Sequence, residues 1–171
     1  MTDLTKYIRN IPNFPKPGIL FKDITPLLAD PGAFRQAIDQ LRAHYEGHAI
    51  DAISAAEARG FLLAAPLAYL MKKPLVPLRK PGKLPYDTHK LQYDLEYGQA
   101  ELHVHIDGFD KGAKVLLVDD LLATGGTLEA ACKLIVRAGA QVVGCAVLVE
   151  LTFLLGREKL RPHDVFSLIQ Y

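Results

Sequence analysis

Half of the 171 residues are apolar, yet no apolar run is long enough to span a bilayer. The longest, "GFLLAAPLAYLM" from Gly60, is twelve residues and holds a proline. The first ten residues, "MTDLTKYIRN", carry charges and no hydrophobic block, which argues against a signal peptide. Charge of one sign is also lacking: a net +1 leaves no footprint for nucleic acid or an anionic membrane. Cysteine is scarce. Cys132 and Cys145 lie in apolar periodic segments and in no metal-binding spacing, so they read as reduced core residues. Repeats and low-complexity tracts are missing too. These absences exclude a membrane span, a disulfide scaffold and a solenoid, and leave one cytoplasmic domain with room for a full core.

What is present alternates. In "DPGAFRQAIDQLRAHY", Asp30 stands as N-cap, Pro31 opens a helix, and Phe34, Ile38, Leu41 and Tyr45 form its apolar stripe. "AIDAISA" (49–55) reads as a strand, the run from Gly60 as a buried helix, and "PLVPLR" (74–79) as a second strand. "KVLLVDD" (114–120) is a nearly continuous apolar strand, of the kind covered on both faces. "GTLEAACKLIVRAGA" follows as a helix closed by Gly139, and "QVVGCAVLVEL" as the next strand. This order predicts an α/β fold, a parallel sheet flanked by helices on both faces.

Two segments stand apart from that core. "IPNFPKPGILFKDITPLL" (11–28) is rich in proline. The stretch from Arg79 to Asp107 begins with cations, Arg79, Lys80, Lys83 and Lys90, and continues as an alternating pattern that suggests a hairpin. A long basic loop in a compact domain reads as a lid, a disordered insertion or a solvated surface loop.

The chemistry concentrates in "KVLLVDDLLATGGT" (114–127). Ligands of open parallel sheets bind beyond the carboxyl ends of the strands, and a helix N-terminus welcomes an anion. Gly125 and Gly126 let the main chain close on a small anion, with Thr124 and Thr127 as hydroxyl donors. The Walker lysine and the G-x-G-x-x-G pattern are both missing, which disfavours a nucleoside triphosphate or a dinucleotide. Asp119 and Asp120 would repel phosphate, so sugar hydroxyls are their natural partners. The loop reads as a ribose 5-phosphate cradle, expected at a solvent-reached strand end; a turn with solvated acids is the other reading.

"VLLVDDLLATGGT" resembles the 5-phosphoribosyl 1-diphosphate (PRPP) motif of the type I phosphoribosyltransferases. "FPKPGILFKDITPLL" (14–28), "EARGF" (57–61), "RKPGKLP" (79–85), "YDLEYG" (93–98) and "LVELTFLLGREKL" (148–160) are similar to the adenine-specific members, in order and spacing. One difference lies after "RGF": "GFLLAAPLA" replaces a Gly-rich stretch, with Ala64 and Ala65 small enough to preserve close packing. The resemblance implies a type I phosphoribosyltransferase fold over residues 1–171, with a hood over approximately 1–30 and a lid over approximately 79–107. It further implies a Mg²⁺-dependent homodimer that converts adenine and PRPP to AMP and pyrophosphate in purine salvage.

Residue by residue, the resemblance assigns Ala123, Thr124, Gly125, Gly126 and Thr127 to the 5-phosphate, and Asp119 and Asp120 to the ribose. Arg59, Arg79 and Lys83 fall to the pyrophosphate. Leu20 and Lys22 meet adenine through the main chain, with Phe21 stacked nearby; on residues alone Phe21 equally reads as a core aromatic. Glu96 matches an acid that exchanges a proton with the purine, and otherwise reads as a solvated strand residue. Mg²⁺ is held mainly through substrate and water, with no protein-only metal site. In the family the bond at Glu57 and Ala58 is often a cis peptide, and the sequence does not decide it here. His103 and His105 share a strand face and read as exposed; His44 and His48 read as solvated, and His89 lies in the lid. Two other readings remain: transfer to another purine or to orotate, and a non-catalytic PRPP sensor.

Overall fold

The structure, a computed structural model, describes residues 2–95 and 98–171. Five parallel strands make the central sheet: β3 (Ala52–Ala56), β4 (Leu75–Leu78), β7 (Lys114–Leu122), β8 (Gln141–Glu150) and β9 (Val165–Gln170), in the order β4-β3-β7-β8-β9. β7 is central, and Val115 to Val118 are buried on both of its faces. That double burial is why its sequence does not alternate.

Helices α2 (Pro31–His44) and α3 (Gly60–Met71) cover one face, where Ile38, Leu41, Leu63 and Leu67 pack with Ile53, Leu116 and Leu148. The Asp30 carboxylate caps α2 by accepting from Ala33 N at 2.7 Å, and α3 spans its anticipated run. Ala64 is buried beneath α3 while Ala65 is exposed, so only the first of the two small residues serves close packing. On the other face, α4 (Gly126–Arg137) supplies Leu128, Leu134 and Ile135 against Val115, Leu117, Cys145 and Val147. Each such aliphatic side chain stabilises by about 1.5–3 kcal/mol. Truncating Leu116 at the centre to alanine is the single change that would break the core, at about 2–5 kcal/mol.

Two antiparallel hairpins flank the sheet. β1 (Arg9–Pro12) pairs with β2 (Leu20–Asp23), followed by the short helix α1 (Thr25–Ala29). β5 (Thr88–Leu95) pairs with β6 (Gly98–His105). The second hairpin is less of a loop than its charges suggest. Leu102 and Val104 sit in the core beside α4, and His103 exchanges two backbone hydrogen bonds with Arg79, at 2.9 and 2.7 Å. His103 and His105 are accordingly half-buried rather than exposed, because their strand is sandwiched between Arg79 and β5. Among the described residues, no helix is long and apolar enough to cross a membrane.

Candidate active site

The central strand does not stop on its acids. β7 continues through Leu121 and Leu122 because β8 offers partners beyond them, Leu121 facing Val149 and Leu122 facing Glu150. Asp119 and Asp120 are thereby drawn inside instead of standing at a solvent-reached end. Asp120 is only 5% exposed, and Asp119, partly accessible from the cleft, is walled in by protein. Burial pushes the Asp119 carboxyl well above the ordinary range, and the neighbouring Asp120 adds to it. Burial also raises Asp120, against the pull of Arg59. Asp120 N donates to Asp119 Oδ1 at 2.9 Å. The Nε of Arg59 lies 2.9 Å from Asp120 Oδ2. That oxygen still lacks an aligned hydrogen-bond donor. The contact is a charge pairing rather than a directed bond, and the oxygen is buried.

Beyond the acids the chain turns sharply into α4. Gly125 holds φ at 84°, where a Cβ would be strained and would also meet Gly156 O at 2.5 Å. Gly126 begins the helix, so the unpaired N–H groups of its first turn face the loop. Across from it, the end of β3 leads into a cis peptide between Glu57 and Ala58 and then to Arg59. Gly60 lies so close to β7 that a Cβ would fall 2.9 Å from Asp119 Oδ1. Together Glu57 to Arg59 and Asp119 to Leu128 enclose a cleft of about 440 Å³. It contains seven of the residues expected there, Asp119, Asp120 and Ala123 to Thr127, together with Arg59.

Arg79 reaches this cleft through Glu57. Its Nε donates to Glu57 Oε2 at 2.8 Å, and Lys80 N donates to the same oxygen at 3.0 Å. These two donors, the Arg79 bond first, lower the Glu57 pKa. Glu57 had been singled out only for its peptide bond; an acid two residues before Arg59 at a strand end was the available signal.

A second cleft of about 590 Å³ adjoins the first and shares Leu121, Ala123 and Thr124 with it. Gly18 to Lys22 form one wall, and Leu151, Phe153 and Leu154 the other. Phe21 stands edge-on to Phe14 at 5.1 Å between ring centroids, and the Arg59 guanidinium lies over its face at 5.2 Å. The Lys22 side chain turns away: its Nζ donates to Asn10 Oδ1 at 2.8 Å and sits 3.4 Å above the Tyr171 ring. Its burial lowers the Lys22 pKa. Leu20 is 48% exposed, so this wall presents apolar side chains to the cleft. Leu151, Phe153 and Leu154 were missed as site residues, although "LVELTFLLGREKL" had marked the segment.

Some expected residues do not arrive. Lys83 is exposed in the turn after β4 and lines neither cleft. Glu96 lies outside the described residues. His103 pairs with Glu101 and Thr88, and among the described residues no group of three or more His, Cys, Asp or Glu converges as a metal site. Cys132 and Cys145 are free and buried, with their sulfurs 3.7 Å apart.

A family model for the phosphoribosyl transferase domain matches residues 25–168. The adenine phosphoribosyltransferase of Roseiflexus castenholzii is 56% identical over 169 residues, 99% of this chain and 98% of that protein. The crystal structure of adenine phosphoribosyltransferase from Thermoanaerobacter pseudethanolicus is 51% identical with a TM-score of 0.96, covering 98% of each chain. That of the Saccharomyces cerevisiae enzyme, complexed with an imino-altritol bisphosphate and adenine, is 38% identical with a TM-score of 0.90, covering 96% of this chain and 95% of that one. The chain therefore belongs to the phosphoribosyltransferase family, among its adenine phosphoribosyltransferases.

Proposed function

We propose that the two adjoining clefts hold the two halves of one reaction, PRPP in the first and adenine in the second, with AMP and diphosphate as products in purine salvage. The observation that carries this reading is the shared boundary. Leu121, Ala123 and Thr124 line both clefts, so a sugar anchored in one presents its anomeric carbon to the other.

In this reading the bond from the anomeric carbon to diphosphate breaks, a bond to a purine nitrogen forms, and the purine gives up a proton. Ala123 to Thr127 anchor the 5-phosphate with α4 N–H groups and hydroxyls. Asp119 and Asp120 accept from ribose hydroxyls and stabilise the positive charge that develops on the sugar ring. Arg59 and Arg79, paired with Asp120 and Glu57 before substrate arrives, turn toward the diphosphate when it brings negative charge; Lys83 joins them from the lid. Glu96 takes the purine proton. Main-chain groups at Leu20 and Lys22 read the amino donor and ring acceptor of adenine. Phe21 supports the ring. Water is kept out by closure of the segment 79–107.

Mg²⁺ fits these residues as a hard cation that keeps much of its own water: the donors beside the sugar are carboxylate oxygens, Asp119 and Asp120. When bound with PRPP it neutralises diphosphate charge. A homodimer is supported by the outer face of α3, where Leu62, Leu70 and Tyr69, the last 83% exposed, form an apolar stripe. A cytoplasmic setting is supported by two buried thiols left free side by side.

Purified protein with Mg²⁺ and PRPP, offered adenine, hypoxanthine, guanine, xanthine and orotate, tests the assignment. Adenine should exceed hypoxanthine by at least ~10³-fold in kcat/KM, because a site built around hydrogen bonds rejects the reversed pattern. Comparable turnover of hypoxanthine would defeat the main-chain reading. In a single-turnover format, Glu96→Gln should slow the chemical step by ~10²-fold, and an unchanged rate would remove Glu96 from proton transfer.

A further inference from the structure

The turn after β8 is built against the back of the phosphate loop, backbone to backbone. A Cβ added to Gly156 would stand 2.1 Å from Ala123 O and 3.0 Å from Gly125 N. No side chain fits between them, so the position of Gly156 dictates the curve of the loop. The same turn brings Phe153 and Leu154 to the wall of the base-side cleft. Whatever fixes residues 153–156 sets the geometry at both ends of the site.

The fixing is electrostatic. Glu150, the last residue of β8, is 4% exposed and would be costly without a partner. Arg157 supplies one as a fork, Nε to Oε1 at 3.0 Å and Nη2 to Oε2 at 2.6 Å. The third guanidinium nitrogen, Nη1, donates to Val165 O at 2.6 Å, and Ser167 Oγ donates to Glu150 Oε2 at 2.7 Å. The residue next to Gly156 is thus tied to the ends of β8 and β9 at once. It cannot rotate without breaking a bidentate pair. Neither Glu150 nor Arg157 lines either cleft.

We propose that Glu150 and Arg157 are positioning residues of the phosphoribosyl site: their pair seats Gly156 behind Ala123 to Gly125 and so sets the spacing of the groups that receive the 5-phosphate. This rests on the reading of residues 123–127 as the phosphate loop. A displacement of about 1 Å at such a site is enough to cost on the order of 10²-fold in rate.

The full chain is assayed with PRPP, Mg²⁺ and adenine, and each variant is melted by circular dichroism to establish that it folds. Gly156→Ala leaves the ion pair intact but drives a methyl group toward Ala123 O; it should raise the KM for PRPP at least ~10-fold, with a smaller change in kcat. Arg157→Ala should do the same, and Arg157→Lys, which keeps the charge but loses the fork, should recover only part of the loss. If Arg157→Ala does not melt cooperatively, Glu150→Gln combined with Arg157→Gln is read by the same criterion. A purely structural pair would lower the melting temperature and leave the KM for PRPP at the wild-type value, which overturns the proposal. Thr124→Ala separates the two levels. If it raises the KM for PRPP while every clamp variant leaves it unchanged, the clamp fails and the loop reading stands. If Thr124→Ala is also without effect, the loop reading itself fails.

Discussion

On the proposed assignment, the two clefts recognise their ligands by opposite means. The phosphoribosyl side spends named residue types: paired acids, threonine hydroxyls, two arginines and a glycine at a φ only glycine adopts readily. The base side, on that assignment, uses the backbone of the Gly18 to Lys22 wall, one aromatic ring and a few leucines, and the Lys22 side chain turns away toward Asn10 and Tyr171. The first kind of site needs specific side chains because phosphate and sugar present charge and hydroxyls from many directions. A flat base with an edge of donors and acceptors is matched by peptide groups, which every residue has. Substitutions on the two sides should therefore fail differently.

The largest effect should come from the acids. Asp119→Asn removes a charged partner of the sugar, an interaction of about 1.5–3 kcal/mol, so kcat/KM for PRPP should fall roughly tenfold to 10²-fold. Stability should move the other way. Burial and Asp120 raise the Asp119 pKa above its unfolded value, so the stabilising effect of its protonated form is complete below the unfolded pKa, ~3.9, and is lost as pH rises through the folded pKa. Asparagine mimics the protonated form at every pH. The variant should melt with the wild type near pH 4 and above it at pH 8, by about 2–4 °C for each kcal/mol recovered. Equal melting temperatures at pH 8 would mean that the carboxylate is not held at a cost. The smallest effect should be Lys22→Met: both KM values within about twofold of wild type, with a lower melting temperature from the lost Asn10 and Tyr171 contacts. A rise in the adenine KM alone would put the lysine side chain, not its backbone, in the base site.

This asymmetry also explains what could be read from the residues alone. α2 was legible from Asp30 and Pro31, and α3 from an apolar run of helical length, because caps and burial are local signals. The sharp turn into α4 beside a cleft was legible because glycines beside acids at a strand end have few other uses. The extension of β7 through Leu122 was not, since it depends on where β8 lies, and with it went the expectation that the acids face solvent. The second hairpin was legible from its alternation, but the burial of Leu102 and Val104 was not, since that pattern becomes meaningful only once α4 is beneath. Phe153, Leu154 and the Glu150–Arg157 pair were silent for the same reason. Phe153 and Leu154 matter because they line a cleft with Leu20 and Ala123, and the ion pair because it flanks Gly156, whose backbone abuts Ala123.

Equilibrium titration of two ligands, AMP and ribose 5-phosphate, against the wild type, Gly125→Ala and Phe21→Ala tests the division of the site most directly. On the proposed assignment AMP engages both clefts and ribose 5-phosphate only the first. Gly125→Ala, whose methyl group collides with Gly156 O, should weaken both ligands by a similar factor. Phe21→Ala should weaken AMP by about tenfold, from the loss of roughly 1.4 kcal/mol of base–aromatic contact, and leave ribose 5-phosphate unchanged. If Phe21→Ala weakens ribose 5-phosphate as strongly as AMP, or Gly125→Ala spares it, the two-cleft account is contradicted.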